Sequence, residues 1–163
     1  MTQPPMDKQV LKTALLQSLD DEIEAALQAA REAQATASHE GNKPENKWDT
    51  LALEAAYLAH GQSERILQLQ QTRIMLAKWS VPEFGDDDPV RNGACIHLLC
   101  DEAQQWLFIA PVGGRQLHLG DKVVLVVNHE TPLACALMGL AAGDEALLTL
   151  GGAPALWDID QVC

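Results

Sequence analysis

The polar side chains best placed to do chemistry gather in one stretch, Ser38-His39-Glu40-Gly41-Asn42-Lys43-Pro44-Glu45-Asn46-Lys47-Trp48. It offers the carboxylates of Glu40 and Glu45, the carboxamide of Asn42 and the ammonium of Lys43. Gly41 can take the positive φ that ends a helix, and Pro44 suits the first turn of the next. Asn42 and Lys43 then stand at the apex of a turn, with Glu45 just inside the second helix. A carboxylate there is stabilised by the positive helix end by about 0.3–1 kcal/mol when exposed. Taken alone, Glu45 therefore reads as helix-start chemistry. Elsewhere the reactive residue types form no pattern. Cys95, Cys100, Cys135 and Cys163 match no common zinc spacing and read as reduced, small apolar side chains. His39, His60, His97, His118 and His129 are scattered and receive no role. There is no Ser/His/Asp order, no phosphate-binding loop and no HExxH.

The elements that position this stretch are two long helices. After Pro4-Pro5, residues from Asp7 to Ala37 contain no Gly or Pro and are rich in Ala, Leu, Gln and Glu. Their apolar positions Leu16, Leu19, Ile23, Ala26, Ala30, Ala33 and Ala37 step by three and four, the spacing of a heptad seam. A second seam, Trp48, Leu51, Ala55, Leu58, Gln62, Ile66 and Leu69, lies within the pattern from Trp48 to Trp79. Folding the chain back near Asn42 sets Ala37 against Trp48, Ala33 against Leu51, Ala26 against Leu58 and Leu16 against Leu69. The expectation is an antiparallel two-helix coiled coil over residues 1–80 with its tip at 39–47. Each helix is roughly 45 Å long at 1.5 Å per residue, a rod rather than a globule. The alanines near the tip fit either close helix approach or helix propensity alone. Ile23 faces Gln62 beside Gly61, a break in the seam, and glycine there costs roughly 1 kcal/mol relative to alanine.

Charge separates the two halves. Residues 1–80 hold 11 acids and 8 bases, residues 81–163 hold 12 and 3, and the whole chain carries −12. An acidic second half is repelled by phosphate, which argues against direct nucleic-acid binding and for a basic protein surface as partner. The N-terminus lacks a signal-peptide layout, and no apolar run approaches the roughly 20 residues that span a bilayer. A soluble cytoplasmic protein without a membrane partner is expected.

Residues 81–89, with Pro82, Gly85, Asp86-Asp87-Asp88 and Pro89, have the composition of an acidic linker. Beyond it, over 90–163, apolar runs of strand length span Ala94–Leu99, Gln105–Ala110, Gln116–Leu119, Val123–Val127, Ala146–Leu150 and Ala155–Ile159. One helix signal interrupts them: Thr131 as N-cap, Pro132 at the first helical position and Gly139 just past the end. The fold class is α+β, the second half being a largely antiparallel sheet with one short helix packed on it. His97 and His118 read as packed or solvent-facing strand residues.

Two stretches resemble the Gre family of bacterial transcript-cleavage factors (GreA/GreB-like). Ala37 to Thr50, followed by Leu53-Glu54-Ala55, is similar to that family's tip and the start of its second helix. Thr131-Pro132-Leu133-Ala134-Cys135-Ala136-Leu137-Met138-Gly139, then Gly143-Asp144-Glu145, is similar to its Ser-Pro-Ile-Ala-x-Ala-Leu-x-Gly and Gly-Asp segment. The resemblance extends over nearly the whole chain. It implies an FKBP-like domain after the coiled coil, binding to core RNA polymerase at the rim of the secondary channel, and passage of the coiled coil down that channel. Thr131, Pro132, Leu133, Leu137 and Asp144 become candidate polymerase-binding residues. The protein is then no enzyme in itself. At most it stimulates the polymerase's own magnesium-dependent RNA hydrolysis, and it holds no cofactor or metal tightly in isolation.

At the catalytic tip the resemblance implies an Asp and, three residues later, a Glu that help hold Mg²⁺ in the polymerase active centre. The matching residues here are Asn42 and Glu45. Asn is neutral and cannot draw a proton from water, and Lys43 lowers the local negative charge further. Glu40 is a substitute anion, though its side chain starts from the other helix. Binding with weak or absent cleavage is the expectation. The alternatives are active cleavage through Glu45 and Glu40, a non-cleaving regulator like those of nucleoside diphosphate kinase, and prolyl isomerisation, for which the second half has few aromatics.

Overall fold

The computed structural model describes the backbone of residues 5–38 and 50–163 and the side chains of 5–35 and 61–163. The expected tip, with Glu40, Asn42 and Glu45, lies outside the described residues, as do the side chains of Ala37, Trp48, Leu51, Ala55 and Leu58. The chain divides into two compact units, Met1–Leu15 with Trp79–Cys163, and Leu16–Lys78.

Helix α1 runs Lys8–Ser38 and α2 runs Thr50–Lys78. Asp7 starts α1 through its carboxylate, which accepts from the Gln9 and Val10 amides at 2.9 and 3.4 Å. That satisfies two of the donors every helix N-terminus leaves open. Among the described side chains the buried positions on α1 are Leu11, Leu15, Leu19, Ala30 and Ala33, and on α2 Ile66, Leu69 and Leu76. Leu15, and not Leu16, continues the stripe below Leu19: steps of four from Leu11 to Leu19 follow the 3.6-residue period, and Leu16 falls to its flank. Within the helical unit Asp20 pairs with Arg73 at 2.9 Å and Glu22 pairs with Arg65. The α2 partner number falls as the α1 number rises, the sense of two antiparallel helices. Gln62 occupies a half-buried position, and its side-chain oxygen is buried with no hydrogen-bond partner.

The other unit holds a six-stranded sheet with one helix. Its strands are β1 Cys95–Cys100, β2 Ala103–Ala110, β3 Arg115–Leu119, β4 Lys122–Asn128, β5 Glu145–Leu148 and β6 Ala155–Val162; helix α3 is Pro132–Leu137. The spatial order is β3-β4-β2-β1-β6-β5. All six strands fall where the apolar runs predict them. The sheet is mixed, however, because β2 and β4 pair in parallel from Trp106↔Val124 to Ala110↔Asn128, while the other pairings are antiparallel.

The cause of the parallel pair is the connection after β2. The chain passes the end of β4 so closely at Gly113 that a Cβ there would lie 2.5 Å from the Asn128 amide nitrogen. It then lays down β3 one strand position further out. The two-residue Gly120-Asp121 turn, with Gly120 at φ 65°, returns β4 into the gap. A strand reversed twice runs parallel to the one it started from.

The core lies on the α3 face of the sheet, where Ile96, Leu98, Leu107, Ile109, Ala134, Leu137, Leu148, Trp157 and Ile159 form one cluster. The opposite face carries Cys95, His97, Trp106, Phe108, Val124 and Val126, all buried. Trp79 meets Phe108 there, with ring centroids 6.1 Å apart. Residues of the 81–89 segment engage the same unit: Lys8 Nζ donates to the Pro82 carbonyl at 2.9 Å and lies 3.7 Å from the Phe84 ring centroid.

Candidate functional site

Helix α3 is built by its own sequence. The Thr131 hydroxyl accepts from the Ala134 amide at 3.3 Å and donates to the Asn128 carbonyl at 2.8 Å, Pro132 fills the first position without an amide to lose, and Gly139 leaves the helix at φ 82°. Ala134 and Leu137 are fully buried and fix the helix on the sheet. Pro132 and Ala136 lie on the exposed side of the helix and Leu133 on its flank, partly packed against the core; with Leu147, Leu148 and Thr149 of the β5 segment they bound an open groove of about 360 Å³.

The candidate residues of this region therefore have different stations. Pro132 and Leu133 line the groove. Thr131 is the cap that holds the helix start, and Leu137 is a core side chain at 0% exposure. Asp144 turns its carboxylate back on its own loop, accepting from the Ala141 amide at 2.8 Å, and its backbone pairs with Ile159. The structure brings Thr131, Pro132 and Leu133 together at one end of α3. Asp144 sits in the turn entering β5, and Glu40, Asn42 and Glu45 lie outside the described residues.

One groove residue and its cross-strand neighbour escape a reading by motif. Leu147 is 64% exposed and stands opposite Leu156, itself 60% exposed, on the outer side of the β5–β6 pair. Their signal is the alternation of strands: Ala146 and Leu148 face the core, so Leu147 must face out. An exposed cross-strand leucine pair beside an open groove is apolar surface that a lone chain leaves wetted.

The opposite sheet face holds the other polar constellation. At β6 the register shifts, so that Asp160 and Gln161 both stand opposite His97. The buried His97 ring contacts Asp160 Oδ2 through Nδ1 at 2.9 Å and Gln104 Oε1 through Nε2 at 3.0 Å, and it stacks on Trp106 with centroids 4.4 Å apart. Both ring nitrogens are satisfied and no nucleophile lies within this set, so it reads as a buried polar network that pins β1, β2 and β6 together.

Among the described residues no group of three or more His, Cys, Asp or Glu is arranged to hold a metal ion, and no helix is long and apolar enough to cross a membrane. No family model and no curated protein matches the sequence. Among solved structures the chain is similar to GreA factor homolog 1 of Thermus thermophilus, at 14% identity over 91% of this chain and 94% of that one, with a TM-score of 0.39. A structure of the transcription factor Gfh1 is similar at 16% identity over 91% and 93%, with a TM-score of 0.40. Thermus aquaticus Gfh1 is similar at 16% identity over 90% and 92%, with a TM-score of 0.38. At such identities and scores the likeness carries no functional argument.

Proposed function

We propose that this chain is a Gre-like regulator that docks on bacterial RNA polymerase through its sheet unit and passes its helix pair, as an antiparallel coiled coil, into the secondary channel. The observation that carries the reading is the groove between α3 and β5. The segment Thr131–Gly139, whose sequence resembles that family's, forms a capped helix whose Pro132, Leu133 and Ala136 line a groove completed by Leu147, Leu148 and Thr149. The 12 acids against 3 bases of residues 81–163 suit a basic protein surface and disfavour direct contact with nucleic acid. The protein is then a transcription factor and not an enzyme, at most assisting hydrolysis performed by the polymerase.

The tip chemistry favours regulation without efficient cleavage. Two-metal hydrolysis of a phosphodiester calls for anionic oxygen ligands on a hard cation. Glu45 supplies one anion, but Asn42 offers only a neutral carbonyl oxygen, so the pair is one charge short of recruiting Mg²⁺. Glu40 is the remaining anion of the segment.

Two measurements test the reading. Purified chain binds core polymerase and competes with a known secondary-channel factor, and Leu147→Lys weakens that binding roughly tenfold or more, the loss typical of an interface anchor, without altering the fold. No binding by the unaltered chain would sink the proposal. On stalled, backtracked complexes with Mg²⁺, the chain shortens transcripts weakly or not at all, Asn42→Asp raises that activity, and Glu45→Ala removes it. Strong cleavage that survives Glu45→Ala refutes the assignment of the tip.

A further inference from the structure

Cys95 and Cys163 are 68 residues apart in sequence, yet they face each other across the start of β1 and the end of β6. The Cys95 amide donates to the Cys163 carbonyl at 2.7 Å, and the Cys163 amide donates to the Cys95 carbonyl at 2.9 Å. Residues that exchange both backbone bonds have Cα atoms about 5.5 Å apart, inside the span of roughly 4.4–6.8 Å that a disulfide bridges. Both thiols are free, and the Cys163 thiol, when protonated, reaches the Cys95 carbonyl oxygen at 3.5 Å.

The two sulfurs occupy different environments. Cys95 is wholly buried beneath the sheet face, whereas Cys163 lines an open cleft of about 310 Å³ with Met6, Lys8, Val81, Glu83 and Phe84. Ionised, the Cys163 sulfur accepts a hydrogen bond from the Cys95 thiol, then one from the Met6 backbone, and it has the half-buried Lys8 ammonium nearby; against the cost of burial these bring its pKa down to about 6. The shared hydrogen bond and full burial push the Cys95 thiol well up, so it stays protonated. Lys8 is itself drawn down to about 8, chiefly by burial, and at neutral pH remains largely the cation that faces the thiolate.

We infer that Cys163 and Cys95 form a peroxide-reactive dithiol site, with Cys163 as the nucleophile open to the cleft and Cys95 as the resolving thiol beneath it. Low-lying, accessible thiolates beside a second thiol are the usual sites of reversible sulfur oxidation. In the first step the Cys163 thiolate attacks one peroxide oxygen: an S–O bond forms, the O–O bond breaks, and sulfur is oxidised by two electrons to sulfenic acid as the alkoxide or hydroxide leaves. In the second, Cys95 sulfur attacks the sulfenic sulfur, forming the S–S bond and expelling hydroxide, which with the Cys95 proton leaves as water. The product joins β1 to β6 where they are already paired, so the strands need no new partner. This site is independent of polymerase binding.

The full-length reduced chain, exposed to hydrogen peroxide at neutral pH and mapped by mass spectrometry, gives a Cys95–Cys163 cross-link with the loss of two hydrogens. Cys95→Ala halts the reaction at a dimedone-reactive sulfenic acid on Cys163, Cys163→Ser abolishes both products, and the double variant Cys100→Ser/Cys135→Ser leaves the cross-link yield unchanged. In the unaltered chain the rate of Cys163 alkylation by iodoacetamide is half-maximal near its pKa of about 6, whereas N-acetylcysteine in the same solution still gains reactivity well above neutrality. Lys8→Gln moves the Cys163 midpoint upward. Oxidation of Cys100 or Cys135 ahead of Cys163, or a Cys163 midpoint equal to that of N-acetylcysteine, overturns the inference; the second readout needs no cysteine variant to fold.

Discussion

In the sheet unit, Ile96, Leu98, Leu107, Ile109 and Ile159 are each at most 1% exposed and belong to one cluster drawn from β1, β2 and β6. In the helical unit the buried residues among the described side chains are Leu19, Ala30, Ala33, Ile66, Leu69 and Leu76, single stripes flanked by exposed Leu67, Ile74 and Met75. A sheet covered on both faces surrounds each core side chain with partners from several elements. A stripe gives each side chain one facing helix and leaves the rest of the cylinder to solvent. The comparison teaches where specificity of fold is stored: in the sheet it rests on many non-local neighbours, and in the helices on backbone propensity, a narrow seam and surface charge.

The sharpest test of that contrast is a cavity in the sheet. Leu107→Ala is expected to cost about 2–5 kcal/mol, since the packed surroundings collapse only partly around the missing atoms. Urea unfolding followed by tryptophan emission measures it, and a loss below the effect of Ala30→Gly, about 1 kcal/mol from propensity, would invert the ranking. Next in size, Thr131→Ala should destabilise the sheet unit by about 1 kcal/mol through loss of the α3 cap, measured in the same way. An equal effect of Thr131→Ser, which keeps the hydroxyl, would assign the loss to something other than capping.

Gly61→Ala probes the helices in the opposite direction. Gly61 is exposed within α2, and a Cβ there meets nothing within 4 Å. The substitution should raise stability by roughly 1 kcal/mol, detected as a higher midpoint in thermal or urea unfolding. A fall would show that the glycine serves a contact or a bend.

The smallest effect is expected from Arg73→Ala. The hydrogen bond from Arg73, and then its charge, hold the Asp20 carboxyl below its ordinary pKa. A depressed folded-state pKa contributes stability above the ordinary carboxylate range, and that contribution disappears as pH falls through the folded value. Both groups are open to solvent, so salt screens the pair. The gap between parent and variant should be small at neutral pH, narrow with added salt and close on acidification. A gap that widens in acid would break the assignment.

Much of this molecule is legible residue by residue. Asp7, the long Gly- and Pro-free run behind it and the Pro132–Gly139 bracket around α3 act over a few positions, so helix starts and stops follow from side chains that cap their own backbone. Short apolar runs place the six strands to within a few residues. The seam shows the limit of such reading: Leu15 and Leu16 are both apolar, and only the packed helix selects Leu15 for its stripe. The groove was half visible, since Pro132, Leu133 and Ala136 lie in one motif, whereas Leu147 joins them from strand β5.

The amino-acid sequence by itself determined which of the described segments are helix and which are strand, the acidic balance of the second half, and a polar stretch in which Asn42, and not an acid, stands three residues before Glu45. Those properties depend on local backbone preference and on side-chain chemistry. Tertiary structure alone decided that β4 slips between β2 and β3 to make a parallel pair, that Asp160 meets His97 at a bulge, and that Cys163 lies across from Cys95 with Lys8 nearby. Each joins residues far apart along the chain, and which distant strands pair is settled by the collective burial of two sheet faces, which no short window of sequence contains.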